Sequence, residues 1–228
     1  MPSRNSQKTY FKNGYYHLYN RGVEKRIIFS DPQDYSVFIG YLKEYLSPKN
    51  LDELYKKLAD KNSNWAEKEK ILRSLRMNNF YQEIELLSYC LMPNHFHLLI
   101  KQRSEKAIDS FLNSLLTRYV MYFNKKNQRV GHLFQDVYKG VVVTSEGQLA
   151  HLSRYIHRNP LSLDKELSRK HQRAYTSLPE YLNERKTDWI KTDDVISTFS
   201  QTGKNSYQSF VNEFDDLEFL KDLIIENL

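Results

Sequence analysis

The chain has 228 residues, 40% of them hydrophobic and 14% aromatic, enough for one buried core with a small appendage. Its formal net charge of +6 favours a polyanionic partner, and its single cysteine, Cys90, excludes an intrachain disulfide and a multi-cysteine zinc site. No run of about 18 apolar residues is present. Met1–Lys8 lacks the apolar stretch of a signal peptide, so a cytoplasmic protein with no membrane partner is expected.

Tyr15 to Asn20 alternates like a first strand, and Arg21-Gly22 ends it. Asp31-Pro32 opens a helix to about Leu46, with Asp31 as N-cap and Pro32 at its first position. Residues 51–79 turn rich in Lys, Glu, Asp and Asn and read as a helical insertion on the surface. Ile84 to Met92 is a second strand, Pro93-Asn94 a tight connection, and His95 to Lys101 a third strand. Glu105 to Asn124 carries an unbroken apolar stripe at helical spacing, so Tyr119 and Tyr122 are expected in the core. Asp136 to Val143 is a fourth strand. Ser145-Glu146-Gly147-Gln148 matches a capping box for a helix to about Arg158, stopped by Asn159-Pro160. The order is βαββαβ plus one helix, which predicts an α+β, ferredoxin-like antiparallel sheet with packed helices. Residues 10–180 are expected to form this domain, and 181–228 a small helical appendage with an acidic, amphipathic end from Asn212 to Leu228.

The chemistry concentrates in Met92-Pro93-Asn94-His95-Phe96-His97-Leu98-Leu99-Ile100. Side chains alternate across a strand, so His95, His97 and Leu99 share one face while Phe96, Leu98 and Ile100 enter a core. An isolated His-x-His is more often a hydrogen-bonded pair than half of a metal site, and a third ligand must be found elsewhere. The helix Leu152–Arg158 and the residues after it offer candidates. Tyr155 and Asn159 are four apart and share a helical face. An amide oxygen at Asn159 is a hard ligand, and a deprotonated Tyr155 phenol could attack phosphorus.

Asn94-His95-Phe96-His97 resembles the HUH signature (His, bulky hydrophobic, His) of single-tyrosine transposases, and Tyr155-Ile156-His157-Arg158-Asn159-Pro160 resembles the tyrosine helix of their REP-associated branch. Weaker matches lie in order around them: Tyr19-Asn20-Arg21-Gly22, Tyr122-Phe123-Asn124, Gly131-His132-Leu133-Phe134-Gln135 and Tyr175-Thr176-Ser177. The resemblance implies that His95 and His97, assisted by Asn159, bind Mg2+ or Mn2+. It implies that Tyr155 cuts single-stranded DNA at hairpin-forming repeats, keeping a 5′-phosphotyrosine and releasing a 3′-OH. Asp136-Val137-Tyr138-Lys139 is less basic than in relatives, and the insertion is long for the group.

Arg21, Lys101, Arg103, Arg118, Lys139, Arg154 and Arg158 are the candidate DNA contacts, with Lys165, Arg169, Lys170 and Arg173 following the tyrosine helix. His17, His132, His151, His157 and His171 are expected to be structural or at the surface. Two other readings stay open: a non-catalytic hairpin-binding protein, and a histidine-metal hydrolase that activates water. So does the choice between a monomer and a homodimer.

Overall fold

In the computed structural model, which describes residues 10–163, 171 and 173–213, the chain runs β1 (Tyr15–Arg21), α1 (Pro32–Leu46), α2 (Leu51–Ala59), α3 (Trp65–Arg76), β2 (Ile84–Met92), β3 (His95–Gln102), α4 (Ala107–Lys126), β4 (Lys139–Val143) and α5 (Glu146–Arg158). The strands form one four-stranded antiparallel sheet in the order β2-β3-β1-β4. This is the ferredoxin-like arrangement expected from the element order.

Local chemistry sets the helix starts. The Asp31 carboxylate accepts from Gln33 N and Asp34 N, at 3.0 and 3.1 Å, and Pro32 supplies a preset φ at the first position of α1. Ser145 caps α5 by accepting from Gln148 N. The Gln148 side chain reaches one residue further back than a capping box requires, accepting from Thr144 N at 2.9 Å. Asn64 and Glu67 complete a reciprocal capping box at the start of α3, yet neither α2 nor α3 buries a residue. These two helices form the predicted surface insertion, with Trp65 left 78% exposed.

Layers cover both faces of the sheet. Leu18, Phe96, Leu98 and Ile100 pack against Phe38 and Leu42 of α1 and Phe111, Leu115 and Tyr119 of α4. Each such fully buried Leu or Phe contributes about 1.5–3 kcal/mol. On the other face, Leu99 meets Leu152, Tyr155 and Ile156 of α5. Three short helices, α6 (Leu178–Tyr181), α7 (Asp193–Ile196) and α8 (Tyr207–Asn212), bring Leu178, Tyr181, Val195, Tyr207 and Val211 to this same layer. A β-bulge between Leu86 and Ser88 turns both Leu87 and Ser88 toward it, where Ser88 Oγ meets Tyr181 OH at 2.7 Å.

Some boundaries differ from expectation, β1 and β3 by a single residue at their ends and β4 and α4 by more. The fourth strand begins at Lys139, because Asn20 Nδ2 holds Asp136 O at 3.0 Å and Tyr138 turns into the first layer, bonding Tyr10 and Asp109. The helix expected at 105–124 starts at Ala107 and runs to Lys126. No helix among the described residues is long and apolar enough to cross a membrane. The acidic segment beyond Glu213 and Lys165, Arg169 and Lys170 lie outside the described residues.

Candidate active site

The two-residue connection Pro93-Asn94 joins β2 to β3, with Met92 and His95 directly opposed. The loop after β1 pins this turn from below. Gly22 N donates to Asn94 O at 2.9 Å, and Ile28 N and Phe29 N both donate to Pro93 O. Position 22 has no room for a side chain, since a Cβ there would sit 2.3 Å from the Arg26 carbonyl oxygen. Glu24 and Lys25 adopt left-handed φ of 56° and 59°, which costs about 1 kcal/mol or more for each non-glycine residue. The start of β3 is therefore held from both the sheet and the loop.

On β3, His95 and His97 share the face expected from alternation, with ring centroids 4.9 Å apart and planes at 88°. His95 Nδ1–H donates to Asn94 Oδ1 at 2.6 Å, and its Nε2 lies 3.2 Å from Asn159 Oδ1. A neutral imidazole has one N–H, so it can satisfy only one of two amide oxygens. With a lone pair on Nε2, either the Asn159 amide turns to donate its Nδ2–H there, or a cation takes a lone pair from both Nε2 and Oδ1. Among the described residues no group of three or more His, Cys, Asp or Glu could hold a metal ion. The third donor here is an amide, and two imidazoles plus an amide oxygen form a set that divalent first-row ions accept.

His97 is buried, and its Nδ1 lies 2.9 Å from Nε2 of His17 on β1. Its pKa falls well below the ordinary imidazole value, first through burial and then through His95, His17 and Arg21, which oppose a further positive charge. It is therefore neutral at physiological pH, as a metal ligand must be. The Tyr155 ring, brought by α5, stands edge-on to His97 with centroids 5.6 Å apart and edge-on to His17 at 6.4 Å. Its residue exposure is 7%, whereas Arg21, Asn94, His95, Lys139 and Asn159 are each less buried.

Three other tyrosines that could compete with Tyr155 for the role of nucleophile are engaged away from the histidines. Tyr119 OH donates to Ile28 O, Tyr122 OH to Asp34 Oδ1, and Tyr138 OH to Asp109. One phenol at the site was not singled out from the sequence: Tyr19, whose ring lies 5.8 Å from His97 and 4.9 Å from His17. His17, expected to be structural or at the surface, also stands at the site, beside His97. The sequence signals were the alternation Tyr15-His17-Tyr19-Arg21 on a strand that pairs with β3 and, for Tyr19, its place in the weak Tyr19-Asn20-Arg21-Gly22 match.

The candidate basic contacts divide. Arg21 stands opposite His95 in the β1–β3 register, and Lys139 lies opposite Tyr19 with Nζ 5.9 Å from that ring. Lys101 pairs with Asp194 at 2.8 Å, Arg103 with Glu85, and Arg118 with Glu44 at 2.8 Å while stacking on Tyr41. Arg154 donates to Phe210 O, and Arg158 to the Val211 and Glu213 carbonyls, so both hold the C-terminal segment to α5. Arg173 pairs with Glu184. His157 is buried between Tyr207 OH and Ser177 Oγ, and burial lowers its pKa to about 3.

Residues 64–159, which hold His95, His97, Tyr155 and Asn159 but leave out β1 and α1, match the family model described as "Transposase IS200 like". No curated protein matches the chain. Among solved structures, a REP-associated tyrosine transposase bound to a REP hairpin is similar at 9% identity, covering 81% of this chain and 92% of that one, with a TM-score of 0.49. A Deinococcus radiodurans R1 protein described as a transposase is similar at 16% identity, covering 69% of this chain and 97% of that one, with a TM-score of 0.27.

Proposed function

We propose, on the premise that residues 64–159 are a segment of the IS200-like transposase family, that the chain transfers strands of single-stranded DNA with Tyr155 as nucleophile. The observation that carries this reading is the meeting of two distant motifs: α5 and its end present Tyr155 to His97 and Asn159 Oδ1 to His95 Nε2. Both partners come from one chain, so the reading does not require a second copy.

The phenol loses its proton, its oxygen forms a bond to phosphorus, and the bond from phosphorus to the 3′ oxygen breaks. A proton returns to that oxygen, leaving a 3′-OH and a 5′-phosphotyrosine. Attack by another strand's 3′-OH reverses the exchange, and the phosphodiester energy is conserved without nucleotide hydrolysis. His95, His97 and Asn159 would hold Mg2+ or Mn2+, which when bound polarises the phosphate and offsets developing negative charge. Arg21 and Lys139 meet the flanking phosphates. Hairpin-forming single strands are the proposed substrate, and the cytoplasm the proposed compartment.

The test incubates labelled single-stranded hairpin DNA with the protein and Mn2+ and resolves the products on a denaturing gel. A covalent protein–DNA band is expected, and Tyr155→Phe abolishes it. Cleavage without such a band would instead identify a water-activating hydrolase. Binding without cleavage would identify a hairpin-binding protein.

A further inference from the structure

We propose that His17 is a positioning residue that fixes the tautomer of His97 and so turns the His97 Nε2 lone pair to the ion-holding side of the site. The inference rests on the reading of His95, His97 and Asn159 as ion-holding residues.

The argument is one of proton counting. His17 and His97 are buried, at 1% and 3% exposure, and Nε2 of the first lies 2.9 Å from Nδ1 of the second. Between two neutral imidazoles only one of these nitrogens carries the shared proton. If His17 donates, the proton of His97 must sit on Nε2, and that nitrogen cannot ligate a cation. If His17 accepts, His97 is the Nδ1–H tautomer and Nε2 presents its lone pair. His95 is arranged the same way: an acceptor-only amide oxygen, Asn94 Oδ1, takes its Nδ1–H, and Nε2 faces Asn159. Both imidazoles thus have Nδ1 turned to a supporting residue, the arrangement by which a second partner orients a metal-ligating histidine.

The sheet fixes the partner in place. His17 stands opposite Leu99 in the β1–β3 register, on the same face as His97, and the two rings lie edge to edge and nearly parallel, with centroids 5.1 Å apart and planes at 19°, as their in-plane hydrogen bond requires. Tyr19, tilted against it at 4.9 Å, and Tyr155, edge-on at 6.4 Å, close the remaining sides. A ring so enclosed has little freedom to swing away, which suits a positioning role.

The test measures Mn2+ binding, without DNA, by the loss of the free-ion electron paramagnetic resonance signal. His17→Leu removes the acceptor and is expected to weaken Mn2+ binding about 10- to 100-fold, while His17→Gln keeps an acceptor and restores it to within a few-fold. Nitrogen-15 NMR of the unaltered protein is expected to show His97 protonated on Nδ1 and bare on Nε2. A folded His17→Leu protein with unchanged Mn2+ affinity overturns the positioning role, as does an Nε2–H tautomer of His97. Absence of Mn2+ binding by the unaltered protein overturns the ion-holding reading itself, a separate result. If His17→Leu does not fold, the tautomer of the unaltered protein decides.

Discussion

Removing the Tyr207 hydroxyl isolates the attachment of the tyrosine-bearing helix to the C-terminal segment. Tyr207 is 3% exposed, and its hydroxyl meets Ser153 Oγ at 2.9 Å and His157 Nδ1 at 2.7 Å, both on α5. Tyr207→Phe keeps the ring among Tyr181, Phe199 and Phe210 and deletes only the oxygen. Ser153 Oγ keeps its bond to Ala150 O, whereas the His157 nitrogen loses the hydroxyl from a buried setting. Two hydrogen bonds at about 0.5–1.5 kcal/mol each, with part of a desolvation cost, give an expected loss of about 2 kcal/mol. At a urea m-value of about 2 kcal/mol/M this moves the unfolding midpoint down by about 1 M. Equilibrium urea denaturation followed by far-UV circular dichroism reads that shift. A change below about 0.5 kcal/mol, the scatter of ordinary surface substitutions, would refute the inference that this hydroxyl ties the two elements together.

Gly22→Ala places a methyl against the Arg26 carbonyl oxygen and Ile28, neither of which can yield without moving the loop that holds Pro93-Asn94. Thermal unfolding should register a loss of about 1–3 kcal/mol. His171 is buried and donates to Leu91 O, and burial depresses its pKa, so the unfolded chain takes up a proton more readily than the folded one. Its contribution to stability is complete above the free imidazole value of about 6.5 and shrinks as pH falls below it, so His171→Gln should flatten the acid-side slope of melting temperature against pH. Arg21 faces the site and Arg103 is engaged by Glu85. In a salt series of DNA-binding anisotropy, Arg21→Ala should reduce the log–log slope by about 1 while Arg103→Ala leaves it unchanged.

The elements that could be read from the sequence are those whose signals are local. The Asp31-Pro32 cap, the stripe along α4 and the alternation of His95 to Ile100 depend on neighbours a few positions away, and the structure places each as expected. That Tyr155 and Asn159 stand beside the His95 strand was implied only by the resemblance of the two motifs to the single-tyrosine transposases, since the element order does not say which sheet face α5 covers. What could not be read depends on register and on partners far along the chain. His17 sits beside His97 only because β1 pairs with β3 at Leu18 and Leu98. Arg154 and Arg158 look like basic flanks of a nucleophile, and nothing near them in the chain signals that carbonyls at 210–213 occupy them. The late start of β4 has the same origin, since Tyr138 is drawn away by Asp109 and Tyr10 from other elements.

β3 is hydrogen-bonded along both of its edges, to β2 and to β1. A strand so flanked cannot fray alone; releasing it means dismantling the sheet, so its amides should exchange with deuterium only through global opening. The paired imidazoles are consequently as durable as the fold. On heating, loss of their arrangement should coincide with cooperative melting and not precede it.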